Sequence, residues 1–275
     1  MEKIKENIYV ETGFLGCNPG FVVTSNGIVM IDTPQKPREA FQWRKEIHKH
    51  GEIAYLINTD HHRDHALGNF FFDGNLIQHE GTMKELMTEA QLEFDKKWFP
   101  LIEPESGSIP EHYFRRRPTV TFTDRMTLYV GAEVFELIHI VSHTRDETLV
   151  YLPQKKILFT GDTVCTMGLP SVNESYPLKW LEALKMLKTL DIDVLVPGHG
   201  AMGNKDSIGK FERDLLALFK RVEEKIVKGF SREDIIREES YDDIVHSKYP
   251  PAVSEFFKNG MKLNMGRLYD ELSKK

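Results

Sequence analysis

Apolar residues in this chain come in short runs divided by clusters of Gly, Pro, Asn and Asp, the spacing expected of strands and turns. In the first half, runs at 8–10, 20–23, 28–31, 53–57 and 75–78 predict strands. Ser25-Asn26-Gly27 predicts a hairpin between the second and third. Pro37 opens a predicted helix through about residue 50, with Arg38, Glu39, Arg44, Lys45 and Glu46 on its polar face. A short helix over 68–72 and a helical stretch from 81 to about 94 complete this half. The second half repeats the scheme. Strands fall near 119–122, 127–130, 134–141, 148–152, 157–159 and 194–196. A helix over 177–190 carries Trp180, Leu181, Leu184, Leu187 and Leu190 on one stripe, and further helices are expected at 211–228, 232–239 and 250–272. Strands followed by helices, twice over, imply an α/β fold: a four-layer αββα sandwich with two packed sheets inside and helices outside.

Segment 96–118 breaks the rhythm. It carries Trp98, Phe99, Tyr113 and Phe114 among Pro100, Pro104 and Pro110, and reads as irregular chain. Two readings are open, a lid or binding loop and a surface excursion packed by its own aromatics.

Composition narrows the class. The chain has 275 residues, 40% of them hydrophobic, with no low-complexity linker and no solenoid repeat. The expectation is a single domain over 1–275, with a core over 7–204 and a helical C-terminal extension over 205–275. A net charge of -6 argues against nucleic acid as a partner, and Arg115-Arg116-Arg117 reads as a solvated corner. No run approaches the ~18 apolar residues of a membrane span, and residues 1–6 lack the apolar core of a signal peptide. Two cysteines, Cys17 and Cys165, are too few for a disulfide framework and fit reduced thiols in a cytoplasmic protein. Cys165 stands three residues after Asp162 and reads as a small buried group near it.

The chemistry concentrates directly after the run at 53–57, where the chain reads Asn58-Thr59-Asp60-His61-His62-Arg63-Asp64-His65. Asp and His packed this densely on one turn are costly unless a cation offsets their repulsion and desolvation. Three later segments supply matching groups: Ser142-His143-Thr144, Thr160-Gly161-Asp162-Thr163 and Val196-Pro197-Gly198-His199-Gly200. Each follows or adjoins a β-rich run, so four strand-end loops at one sheet edge are expected to surround a metal site, one for two metals.

These four segments, in this order and spacing, resemble the metallo-β-lactamase superfamily from about residue 7 to residue 199. Val29-Met30-Ile31-Asp32-Thr33 is similar to an early strand of that family. The resemblance implies that Asp60, His62 and His143 bind one ion, that Asp64, His65 and His199 bind a second, and that Asp162 bridges them. It implies two divalent ions, zinc first and iron or manganese as alternatives, and hydrolysis of a small ester, lactone, thioester or related molecule. A water shared by two cations is acidified toward neutral pH and becomes the nucleophile, and the resemblance gives Asp64 a catalytic role in handling protons near the leaving group. The alternative reading is an iron-dependent oxidoreductase on the same fold.

Two departures stand out. Asp60 occupies the position of the family's first His, and Ser142-His143-Thr144-Arg145-Asp146 lacks both glycines of the corresponding family loop. With two divalent cations, three carboxylates and a shared hydroxide the site is neutral, where a His at 60 would leave one positive charge. The added oxygen donor favours harder ions such as iron or manganese. His61 is expected to face solvent or a pocket. Arg63 and Arg145 are expected to orient an anion or to pair with Asp146 or Glu147. His79 and His139 are expected to be core or surface residues.

Overall fold

A computed structural model describes residues 1–106, 111–239 and 251–274, with the side chains of 251–261 left aside. The first sheet has seven strands in chain order: β1 (Glu2–Lys5), β2 (Ile8–Val10), β3 (Gly20–Thr24), β4 (Gly27–Ile31), β5 (Ile53–Ile57), β6 (Asn75–His79) and β7 (Val120–Phe122). Tight connections make β1 to β4 antiparallel, and longer crossovers make β4 to β7 parallel. The first crossover is helix α1 (Pro37–Ile47). The second sheet comprises β8 (Arg125–Val130), β9 (Glu133–Ile140), β10 (Glu147–Leu152), β11 (Ile157–Phe159) and β12 (Val194–Val196). Its order is β12-β11-β10-β9-β8, and only β11 and β12 are parallel.

Period-two alternation divides each strand between two cores. In β4, Val29 and Ile31 face the other sheet, where they meet a layer that includes Phe135, Leu137 and Val150. Ile28 and Met30 point the other way, onto Trp43 and Ile47 of α1. On the far side, β10 and β11 present Leu149 and Leu158 to two helices. These are α5 (Pro177–Leu187), the crossover between β11 and β12, and α6 (Lys205–Val227). Trp180, Leu184, Phe211 and Leu215 fill that layer. The order of layers is α, β, β, α, as the sequence pattern implies.

Short helices follow the strands of the first sheet: α2 (Arg63–Ala66), α3 (Glu80–Leu86) and α4 (Glu89–Ile102). The helical stretch expected over 81–94 is therefore two helices. Thr88 separates them, its hydroxyl accepting from the Gln91 N–H as the cap of α4. That second helix runs on through Pro100, so 96–102 is not irregular. Burial of Trp98, Phe99 and Ile102 in the core outweighs one proline near the helix end. Further on, Tyr113 and Arg115 fold back onto Asp95, with Arg115 Nε 2.6 Å from its carboxylate. Strand β1 escapes pattern reading because its Glu-Lys-Ile-Lys sequence is an edge held by backbone pairing, with three of its four positions exposed. After α6, helices α7 (Arg232–Glu238) and α8 (Pro251–Leu272) close the chain, with Ile235, Met265 and Leu268 in the outer core. The expected helix over 232–239 is α7, and of the one expected over 250–272 only residue 250 lies outside the described residues.

Trp180 links this outer layer to the loop after β11, donating from Nε1 to Thr163 O at 2.8 Å. Trp180→Ala is expected to cost about 3–5 kcal/mol, as large core truncations do, read from the midpoint and slope of denaturant unfolding. A loss below about 1 kcal/mol would mean that this layer is not a packed core.

Candidate metal centre

Parallel pairing of β4 with β5, and of β11 with β12, puts four carboxyl ends on one edge of the sandwich. Because β10 runs antiparallel to β11, the β9–β10 loop opens on the same edge. The two sheets are tied there by Thr148 N–H donating to Thr59 O at 2.6 Å. The turn after β5 is pinned from below. Buried Asn58 donates to His65 O (3.0 Å) and accepts from Asn69 and Gln78, both at 2.7 Å. Thr59 donates its N–H and hydroxyl to Asp32, at 2.8 and 2.7 Å. Asp32 itself sits at φ 55°, a left-handed backbone that turns its carboxylate under the neighbouring strand.

Arg63–Ala66 then winds one helical turn, which raises Asp64 and His65 together. From the opposite sheet, the β12 loop passes so close that a Cβ on Gly198 would lie 2.0 Å from Asp162 Oδ1. Only glycine fits there, which is the physical content of the Pro-Gly-His segment.

Seven sequence-predicted residues, Asp60, His62, Asp64, His65, His143, Asp162 and His199, come together at this edge. Asp60, His62 and His143 form one group whose ligand atoms all lie within 4.8 Å of one another, and Asp64, His65 and His199 form a second. Asp162 stands between them. Its Oδ1 is 3.3 Å from His65 Nε2 and 3.2 Å from His199 Nε2, while its Oδ2 is 3.5 Å from His143 Nε2. In the second group His199 Nε2 is 3.2 Å from Asp64 Oδ2, and in the first His143 Nε2 is 3.2 Å from His62 Nδ1.

Two ligands each ~2.1 Å from one ion at the tetrahedral angle lie ~3.4 Å apart, which is the spacing seen in these five pairs. His65 Nε2 and His199 Nε2 are moreover buried without a hydrogen-bonded partner. Atoms at this spacing can share an ion, and the donor set fits divalent metal. The one closer pair is Asp60 Oδ2 with His62 Nδ1 at 2.8 Å.

The imidazoles are aimed from behind. His65 Nδ1 lies 2.8 Å from Asp32 Oδ2, and His199 Nδ1 lies 2.8 Å from Gly16 O, which leaves each Nε2 facing the centre. Charges follow the same geometry. Burial opposes the charged form of His199, but the carboxylates of Asp162 and Asp64 outweigh it and hold the imidazole up at about 10. His65 is also raised against burial, by Asp60, Asp32 and Asp162. Asp162 is held well below the carboxylate range because the charges of His199 and His65 outweigh its burial. His143 goes the other way, pushed down by burial to about 4, and is neutral at pH 7.

Four further acidic or imidazole groups belong to the site and were not assigned a role from sequence. Asp32 carried a signal, a carboxylate immediately after the apolar run that pairs with the metal-turn strand. His61 is buried but faces a pocket, its Nδ1 2.8 Å from Asp146 Oδ1 and its Nε2 3.1 Å from Glu174 Oε2. Those hydrogen bonds outweigh burial and raise it to about 10. Glu174 comes from the long connection before α5 and had no sequence signal. Arg145 pairs with Glu85, and the Arg63 guanidinium lies over Phe94 at 4.1 Å. His79 and His139 stack on each other at 4.0 Å away from the ligand groups. Cys165 is buried as expected, its Sγ 3.7 Å from Asp162 Oδ1.

Residues 12–199 match the family model of the metallo-beta-lactamase superfamily, and the chain belongs to that superfamily. It is a metal-dependent hydrolase of that class. Among curated proteins, it is 26% identical over 214 residues to the metallo-beta-lactamase type 2 of Elizabethkingia meningoseptica, covering 72% of this chain and 78% of that protein. It is 27% identical over 194 residues to a probable hydroxyacylglutathione hydrolase of Schizosaccharomyces pombe, covering 67% and 64% respectively. Among solved structures, a double mutant of the sec-alkyl sulfatase PisA1 superposes with a TM-score of 0.70 at 16% identity. That match covers 98% of this chain and 49% of the sulfatase, and shows likeness of fold.

Two measurements check the centre. Asp32→Asn removes the acceptor behind His65 and is expected to weaken binding of one metal equivalent roughly 10–100-fold, read by competitive chelator titration. Unchanged affinity would remove Asp32 from the site. Because the carboxylates of Asp162 and Asp64 hold His199 up at about 10 in the metal-free protein, metal uptake is expected to release a proton. Affinity should therefore rise as pH increases from about 6 to about 9, measured by titration in buffers of different ionisation enthalpy. Proton-neutral binding would contradict the raised imidazoles.

Proposed function

We propose that Asp60, His62 and His143 hold one divalent ion, that Asp64, His65 and His199 hold another, and that Asp162 bridges the two. Zinc suits the four imidazoles, and the three carboxylates leave room for iron or manganese. The observation that carries this reading is the convergence of the ligand atoms into two groups with Asp162 between them, at the spacing that ligands of shared ions take. Ions bound there would supply an acidified water and polarise the substrate's reacting oxygen. The substrate class that fits is a small ester, lactone, thioester or related molecule.

The chain's own residues supply the rest. Asp162 holds the two groups in register, one oxygen toward each. Asp64 presents Oδ2 beside His199, where it can take or return a proton near a leaving group. Glu147 lies buried behind the centre; burial, then the charges of Asp60 and Asp162, push its carboxyl well up. Thr163 Oγ1 donates to Glu147 Oε2 at 3.3 Å.

Residues 1–275 act as one domain, the helices after 204 packed on the second sheet as an extension. Among the described residues no helix is long and apolar enough to cross a membrane. Two buried cysteines outside any disulfide, Cys17 and Cys165, support a reducing compartment such as the cytoplasm.

Metal analysis of the protein purified without added ions, followed by a panel of lactones, thioesters and phosphoesters, tests the reaction. Asp162→Ala is expected to lose at least one metal equivalent and most of the activity found on that panel. Full activity with unchanged metal content in this variant would rule out the bridge.

A further inference from the structure

A cavity of about 280 Å³ opens beside the first ligand group, with His61, Glu174, Arg145, Tyr176 and Arg267 in its wall. It adjoins the centre directly, since Glu174 Oε2 is 3.1 Å from His61 Nε2 and 4.0 Å from His62 Nε2. At roughly 30 Å³ per water it admits a small polar group and no macromolecule.

The cations in this wall differ in what they face. Arg145 is paired with Glu85. His61 lies between Asp146 and Glu174. Arg267, from α8, has no carboxylate partner among the described residues. Its Nε donates to Ser175 O at 2.6 Å, and its guanidinium lies 5.0 Å from the centre of the Tyr176 ring. The head is thus seated on a backbone carbonyl and an aromatic face, with its terminal nitrogens left over. That fork matches the two oxygens of a carboxylate. Among the described residues Arg267 is the cation of this wall without a carboxylate partner, and with half-exposed Glu174 in the same wall it suits a monoanion better than a dianion such as a phosphate monoester.

We propose that this cavity is the specificity pocket of the hydrolase, and that Arg267 binds a carboxylate carried by the substrate away from its scissile bond. The proposal rests on the hydrolytic reading above and adds the class of substrate. It assigns selection to α8, beyond residue 199 where the match to the family model ends.

The test uses the metal-loaded protein with two short thioesters that differ only in a terminal carboxylate or carboxamide. Calorimetry is run in parallel on the corresponding thioethers, which have no scissile acyl bond. The acid thioether is expected to bind at least about tenfold more tightly than the amide. Arg267→Gln should abolish that preference and raise KM for the acid thioester by a similar factor, with kcat and the amide kinetics within about twofold. Arg267→Lys keeps charge and stem but not the fork, and should retain only part of the preference. Thermal melting establishes that each variant is folded. Absence of an acid preference in the unaltered protein, or an undiminished preference in either folded variant, overturns the proposal. If neither thioester is cleaved but the calorimetric preference vanishes in Arg267→Gln, the pocket stands and the thioester falls as the scissile group.

Discussion

The carboxylate of Asp32 beneath the turn after β5 is the contact on which the rest of the site depends. It accepts from the backbone and hydroxyl of Thr59 and faces His65 Nδ1, so one buried group sets both the path of the turn and the direction of an imidazole. Burial pushes the Asp32 carboxyl up, and three favourable contacts from His65 and Thr59 counter it without fully offsetting it. A buried acid kept at such a cost needs these partners in place. Without this anchor, Asn58 and Thr33 would still hold the His65 carbonyl, but the His65 ring would lose the carboxylate that aims it toward the centre.

The fold explains why these residues can meet at all. Loops leaving parallel neighbours emerge on the same edge, so β4 and β5 bring Asp32 beside the histidine turn, and β11 and β12 bring Asp162 beside His199. Close packing of the two sheets then leaves Gly198 with no room for a side chain against Asp162. The cores on either face are rigid, and they hold these loops in one position relative to each other. Trp180 extends that rigidity inward, since it fills the outer core and also holds Thr163 beside the metal loop.

How much was legible in the sequence follows from which interactions are local. Strand runs and their alternation are written residue by residue, so the two sheets and the four ligand loops could be read directly. The helix break at Thr88 and the continuation through Pro100 were not legible, because burial of Trp98 and Phe99 against a distant sheet decides them. The ligand types on the strand-end loops were visible, and so was the Asp after the run at 28–31. What His61 faces was not, since Asp146 and Glu174 reach it from far along the chain. Arg267 is the extreme case: a single charge in a late helix has no pattern that marks it until the chain folds α8 over Tyr176.

Asp60 shows how a departure from a family pattern can be physically coherent. Its Oδ1 accepts the His62 N–H at 2.9 Å, closing the turn, while Oδ2 faces His62 Nδ1. An imidazole has a single lone pair to offer in its neutral form, so a His at this position could not both accept that N–H and present a ligand atom. The carboxylate does both with its two oxygens, and it is held ionised because the charges of His65 and His62 outweigh its burial. Asp60 therefore shapes the turn and supplies an oxygen toward the first ligand group at once. Under the proposed ligand set, the same substitution removes the excess positive charge of the centre, leaving attraction of an anionic substrate to a cation in the adjoining wall.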